Sequence, residues 1–169
     1  FPVLVAGGGD GTVNELVNGM GPSNILGVLP TGSGNDFSKM LQLPHGTNEI
    51  LQVIAKQKTK LIDLGHITAM NSRLEKIEKY FVNSVGIGLD AKVAYEARKL
   101  PMLRGFAKYV VSAMKSIFTY SPAIAHVSFG LRESHGKHLL IAIGNGKSAG
   151  GGFYLTPDAI LDDGLLDIC

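Results

Sequence analysis

The sequence predicts an α/β protein: a βα lobe with parallel strands, followed by a β-rich lobe that carries two inserted helices. Three observations predict it. Two short apolar runs each end in a glycine-rich loop that opens a helical stretch. Near Lys58 the spacing of apolar residues changes from helical to β-like, and from Ala123 onward strand patterns dominate. Between these, two stretches around Leu100 keep a helical period.

The elements follow in order. Val3 to Ala6 reads as a buried strand, and Val13 to Asn18 as a helix. The glycines between them let backbone N–H groups approach an anion, which the helix dipole also favours, so the loop suits a phosphate. Gly8, Gly9, Gly11 and Thr12 are its candidate contacts, with Glu15 one turn on. Asp10 stands against this, because a carboxylate repels phosphate unless it holds Mg²⁺, takes a proton from an attacking group or caps a helix. Thr12 and Glu15 also have the spacing of a capping box.

Ile25 to Leu29 reads as a second buried strand and Phe37 to Leu41 as a second helix. Strand, helix and strand in so short a span imply a right-handed crossover and parallel strands, so both loops open on one edge of the sheet. Thr31, Gly32, Ser33, Gly34 and Asn35 supply backbone, hydroxyl and amide partners for phosphate or ribose, and Asp36 a second carboxylate. Ser33 or Asn35 could equally cap the helix. Phosphoryl transfer is the chemistry that these two loops suggest together.

Gly-Gly-Asp-Gly-Thr from Gly8, Asn14-Glu15, Asn18-Gly19 and Leu29-Pro-Thr-Gly-Ser-Gly-Asn-Asp-Phe37 resemble the diacylglycerol kinase catalytic-domain family, most closely the bacterial YegS-like lipid kinases. The resemblance continues through Phe81 to Ala91 and Gly151 to Asp167, so it covers nearly the whole chain in order. It implies a partial Rossmann-like lobe of the NAD kinase and phosphofructokinase kind, residues 1–57. It also implies a β-sandwich substrate lobe, residues 58–169, with the active site between the two. ATP and Mg²⁺ are the implied cofactors, with Asp10 and Asp36 serving the metal. The implied acceptor is a lipid hydroxyl, such as that of diacylglycerol, and the implied place is the cytoplasm against the inner face of the membrane. A homodimer is compatible with it. Gly8 to Thr12 alone is shared with NAD kinases, but Pro30 to Asp36 argues against that assignment. A nucleotide-binding module without turnover is the non-enzyme alternative.

Further along, Thr47 to Lys56 has helical spacing, Lys58 to Ile67 turns β-like, Met70 to Lys76 is a polar hairpin loop and Tyr80 to Ile87 is strand-like. Ala91 to Lys99 and Gly105 to Tyr120 are the inserted helices. In the second, Phe106, Tyr109, Val110, Ala113 and Ile117 form the apolar stripe. Arg98, Lys99, Arg104 and Lys108 make this the most basic stretch, either a solvated helix face or a contact for anionic lipid. Ile124 to Leu131, His138 to Ile143 and Leu165 to Cys169 read as strands.

Asp158, Asp162, Asp163 and Asp167 form an acidic cluster bounded by Pro157 and Gly164, an ordinary turn on its own. The resemblance makes Asp163, beside the glycine, the base for the lipid hydroxyl, with Asp162 or Asp10 as alternatives. His135 and His138 lack companions for a zinc set and read as hairpin residues. Gly144-Asn-Gly146 and Gly150-Gly-Gly152 either shape the cleft floor or turn the chain, and Lys147 between them could reach a phosphate.

Composition sets limits. With 169 residues, 45% of them apolar, the chain can bury a real core. A net charge of +2 without interleaved aromatic and basic residues excludes an obvious nucleic-acid surface. One cysteine fits a reducing compartment, and no apolar run is long enough to span a bilayer. The chain begins without Met in an apolar strand and stops in another, the pattern expected of a piece of a longer kinase.

Overall fold

The glycine loops are positioned by a two-stranded parallel sheet. The computed structural model describes residues 2–100 and 105–169. β1 (Val3–Gly8) and β2 (Ile25–Pro30) pair in parallel, with Ala6 opposite Val28 and Gly8 opposite Pro30. α1 (Asp10–Gly19) makes the crossover between them and buries Val13 and Val17, four residues apart on one face. It begins at Gly9, and no side chain caps it among the described residues, so the Thr12–Glu15 capping box is not formed. α2 (Asp36–Met40) and α3 (Thr47–Ala55) follow.

β3 (Gly65–Met70) and β4 (Lys76–Phe81) form a hairpin whose turn is closed by Asn71 Oδ1, which accepts the N–H groups of Arg73 at 2.9 Å and Glu75 at 3.0 Å. α1 is tied to this hairpin by Asn18, whose amide donates to the Tyr80 carbonyl and accepts the Tyr80 N–H, both at 2.9 Å. One side chain thus plays the part of a neighbouring strand. Next come β5 (Ser84–Gly88), α4 (Leu89–Arg98), α5 (Gly105–Thr119), β6 (Ala123–Phe129), β7 (Arg132–His138) and β8 (Leu140–Gly144). The short β9 (Ser148–Ala149), β10 (Phe153–Tyr154) and β11 (Asp167–Ile168) end the chain. β8 lies between β5 and β11 in an antiparallel sheet, while β6 with β7 and β9 with β10 are antiparallel hairpins.

Four sequence expectations change. Residues 58–64 form no strand, because the Asp63 N–H bonds the Leu161 carbonyl at 2.7 Å rather than entering a ladder. The predicted strand from Tyr80 to Ile87 is two strands, broken where Val82 turns into the core and the Asn83 carbonyl accepts the N–H groups of Asn145 and Gly146. β7 escaped notice because its sequence, Arg-Glu-Ser-His-Gly-Lys-His, is polar and the strand is held by its backbone pairing with β6. His135 lies opposite His126 there, as hairpin residues should.

The fourth change concerns α5. Its fully buried residues are Ser112 and Ser116, while Val111, Met114, Ile117 and Phe118 are exposed. Of the predicted apolar stripe, Tyr109, Val110 and Ala113 are half-buried beside these serines and Ile117 is exposed, while Phe106, Arg104 and the Lys108 side chain lie outside the described residues. α5 packs on α4 around a polar centre. The buried Glu96 carboxylate meets Lys115 at 2.8 Å, Lys99 at 3.0 Å and Lys92 at 3.2 Å. Lys99 also lies 4.1 Å from the Tyr95 ring centre.

The main core contains Ala6, Val13, Val17, Val28 and Phe37 from the first lobe together with Val82 and Leu161 from the second. Leu161→Ala removes about 2–5 kcal/mol, the range for a buried leucine that leaves a cavity, measured by urea unfolding. Hydrogen bonds from Lys115, Lys99 and Lys92 lower the Glu96 pKa from 4.5 to about 2. The contribution of this carboxylate is therefore complete above pH 4.5 and disappears as pH falls toward 2. Unfolding curves should show Glu96→Gln less stable than the parent at pH 7, with the difference closing across that acid window.

Candidate active site

The two glycine loops meet at the ends of β1 and β2. The Thr31 N–H donates to the Gly8 carbonyl at 3.1 Å, extending the sheet by one residue. The loops then approach so closely that a Cβ on Gly32 would lie 2.3 Å from the Gly9 Cα. Only glycine fits there. Thr12, in the first turn of α1, lies over Gly8 in the same way.

Asn35 shapes the second loop. It takes the left-handed conformation, φ 53°, and caps α2 in position but with no side-chain bond to the helix. Instead its Oδ1 accepts the Gly32 N–H at 3.0 Å and its Nδ2 donates to the Gly32 carbonyl at 2.7 Å. The helix is capped from the other loop. Asp10 Oδ1 accepts the Phe37 N–H at 2.9 Å and Oδ2 the Asp36 N–H at 3.2 Å. Asp10 is thus a helix cap, but of α2 rather than of its own helix.

Asp36 continues the chain of contacts. Only 1% exposed, its carboxylate accepts the Gly151 N–H at 2.6 Å through Oδ2 and faces Lys39 at 3.5 Å through Oδ1. Gly150 to Gly152 form the tip of the β9–β10 hairpin, and all three have positive φ, 65°, 92° and 118°. Gly34 sits under this tip, where a Cβ would lie 3.2 Å from Asp10 Oδ2 and 3.3 Å from the Gly151 Cα. The second lobe therefore places a glycine tip against the second loop of the first.

The structure brings Gly8, Gly9, Gly11, Thr12, Thr31, Gly32, Ser33, Gly34 and Asn35 to one edge, with Asp10 and Asp36 beneath. Gly11, Thr31 and Ser33 are accessible, and a Cβ on Gly11 would meet nothing within 4 Å. Glu15 lines a shallow depression with Asn14, Asn18, Gly19 and Lys79, on the side of α1 that faces β4. Asp163 is exposed, and its Oδ1 accepts the Leu165 N–H at 3.0 Å. Asp162 pairs with Lys60 at 3.0 Å. Lys147 is exposed, and its backbone N–H points to Met40 Sδ at 3.0 Å.

Asp63 is a residue that the sequence reading passed over. Its Oδ2 accepts the Gly164 N–H at 2.6 Å, and its carbonyl accepts the buried Asn145 amide at 2.9 Å. It thereby holds the acidic turn onto the lobe junction. A lone carboxylate between Ile62 and Leu64 was the available signal.

The sequence pattern of the family described as "Diacylglycerol kinase catalytic domain" matches residues 1–67. That described as "YegS C-terminal NAD kinase beta sandwich-like domain" matches residues 83–169. The chain belongs to the YegS-like lipid kinase family. It is 35% identical to a protein of Chromohalobacter salexigens named "Probable lipid kinase YegS-like", over 98% of this chain and 52% of that protein. A protein of the same name from Yersinia enterocolitica is 33% identical over 98% of this chain and 55% of its own length. Among solved structures, a diacylglycerol kinase of Bacillus anthracis superposes with a TM-score of 0.66 at 26% identity, covering 99% of this chain and 53% of its own. The architecture is accordingly that of the NAD kinase-like fold. The chain spans about half the length of the relatives it matches.

The glycine contacts make a direct prediction. Gly32→Ala destabilises the protein by about 1–3 kcal/mol through overpacking against Gly9. The denaturant midpoint reports it, and a midpoint equal to that of the parent would show that the loops do not approach as described.

Proposed function

We propose that the protein is part of an ATP-dependent lipid kinase that transfers the γ-phosphate to a lipid hydroxyl, diacylglycerol or a close relative. The observation that carries this reading is the pair of glycine loops locked to each other through Asp10 at one sheet edge. The first N–H groups of α1 have no side-chain cap among the described residues, and Gly11 leaves their approach open, so ATP phosphates fit there. Membership in the kinase family points the same way.

The two acidic residues differ in their fit to Mg²⁺. Asp10 has lone pairs beyond its two N–H bonds and lies between the loops, which suits an ion held by one carboxylate and the nucleotide. Asp36 is buried with both oxygens engaged, so we assign it to positioning Gly151. When bound, Mg²⁺ offsets the charge of the phosphates. Asp163 is the proposed base: it is exposed, and its Oδ2 meets no partner among the described residues, whereas Asp162 is paired with Lys60. The nucleotide and substrate lobes divide near Lys58 in this reading.

Lipid access follows from α5. Val111, Met114, Ile117 and Phe118 are exposed, Phe118 at 85%, beside the lysines that surround Glu96. Apolar side chains with cations beside them suit the surface of an anionic bilayer, the inner face of the membrane in this reading. No described helix is long and apolar enough to cross it.

Two measurements test the proposal. Labelled γ-phosphate should pass from ATP to a lipid extract with the intact protein and fall at least about a hundredfold with Asp163→Asn, the usual scale for a lost general base. Labelling of NAD instead would overturn the lipid assignment. Met114→Glu with Phe118→Glu should weaken sedimentation with phosphatidylglycerol vesicles about tenfold or more, given the apolar area withdrawn from contact.

A further inference from the structure

The Gly150–Gly152 tip is held from two sides, and only one of them belongs to the glycine loops. On the first side is the Asp36 carboxylate with its 2.6 Å bond to the Gly151 N–H. On the second is Tyr109 of α5. The Tyr109 ring lies flat enough against Gly150 that a Cβ there would come within 2.7 Å of Cζ and 2.9 Å of the hydroxyl oxygen. The ring also lies 5.8 Å from that of Phe153, at the other end of the tip. Tyr109 itself is fixed in direction. Its hydroxyl donates to Asp90 Oδ1 at 2.7 Å, and the Asp90 carboxylate is seated over Gly86, where a Cβ would lie 2.0 Å from Oδ2. Burial, and then the adjacent carboxylate, push the Tyr109 phenol well above its ordinary range, so this hydroxyl stays a donor at any physiological pH.

A tip of three successive left-handed glycines has no conformational preference of its own that would hold it in one place. Its base is secured, because the Asn83 amide donates to the Ser148 carbonyl at 2.8 Å and the Thr156 hydroxyl to the Gly146 carbonyl at 2.7 Å. The position of the tip then depends on Tyr109 and Asp36. We propose that Tyr109, oriented by Asp90, is a positioning residue: it presses the Gly150–Gly152 tip onto Asp36 and so fixes the wall that the second lobe adds to the nucleotide site. This rests on the kinase reading above. It adds a link between α5, the helix with the exposed apolar face, and the loops that hold ATP. Tyr109 contacts Gly150 and Phe153 of the hairpin and bonds Asp90, so both residues act through the tip.

The test uses Tyr109→Phe, Asp90→Ala and the double variant in the intact protein. Tyr109→Phe keeps the ring against Gly150 and removes only the bond to Asp90. The expected result is a rise in KM for ATP of about tenfold, the scale of one lost bond to a charged group, with KM for lipid unchanged. The double variant should be no worse than either single one, because both cut the same link. Amide hydrogen exchange provides a readout that does not depend on turnover: the Gly151 and Gly152 amides should exchange faster in both variants. Unchanged exchange and unchanged KM, or additive losses in the double variant, would overturn the proposal. If the parent itself transfers no phosphate while its tip amides still respond to Tyr109→Phe, the kinase reading fails and the mechanical link stands.

Discussion

The structure depends on where one carboxylate directs its hydrogen bonds. Asp10 opens the helix that follows β1, yet its oxygens accept the N–H groups that begin the helix following β2. Parallel pairing makes this possible, since it ends both strands at the same edge and brings their loops within reach. The close contact of Gly9 with Gly32 has no tolerance for a side chain, so the two loops are packed directly on each other. Asp36, fixed at the cap by its own N–H, is then turned toward the second lobe, where it receives Gly151. Capping, loop geometry and the contact between lobes are therefore consecutive steps of a single network.

Much of this was legible in the sequence. Apolar runs ending in glycine loops located β1, α1, β2 and α2 to within a few residues, because buried parallel strands and helix starts leave strong local marks. The residues of the loop edge were likewise visible from their types. What could not be read was direction. Thr12 and Glu15 have the spacing of a capping box, but α1 starts three residues earlier and the capping carboxylate serves another helix. A cap across 27 positions leaves no local signal.

The misreadings of the second lobe have a common cause. β7 is polar because its side chains largely face solvent and its ladder is made by backbone groups, which carry no sequence pattern. On α5 the predicted stripe lies partly on the packed face, where Tyr109, Val110 and Ala113 are half-buried, but the centre of that face is polar, since Ser112 and Ser116 lie inside and Glu96 forms a charged centre with three lysines nearby. Val111, Met114, Ile117 and Phe118 remain outside.

The shared core has a consequence for how such a protein can be taken apart. Val82 and Leu161 come from the second lobe but pack with Ala6, Val13, Val28 and Phe37 of the first. Strand order suggests two modules, and the sequence patterns that match them meet between residues 67 and 83. The packing does not respect that seam. Cutting there would leave each half with a wet apolar face that the other had covered, so neither is a unit that recombination could move by itself. In this chain hydrophobic burial joins the two lobes without the help of any ligand.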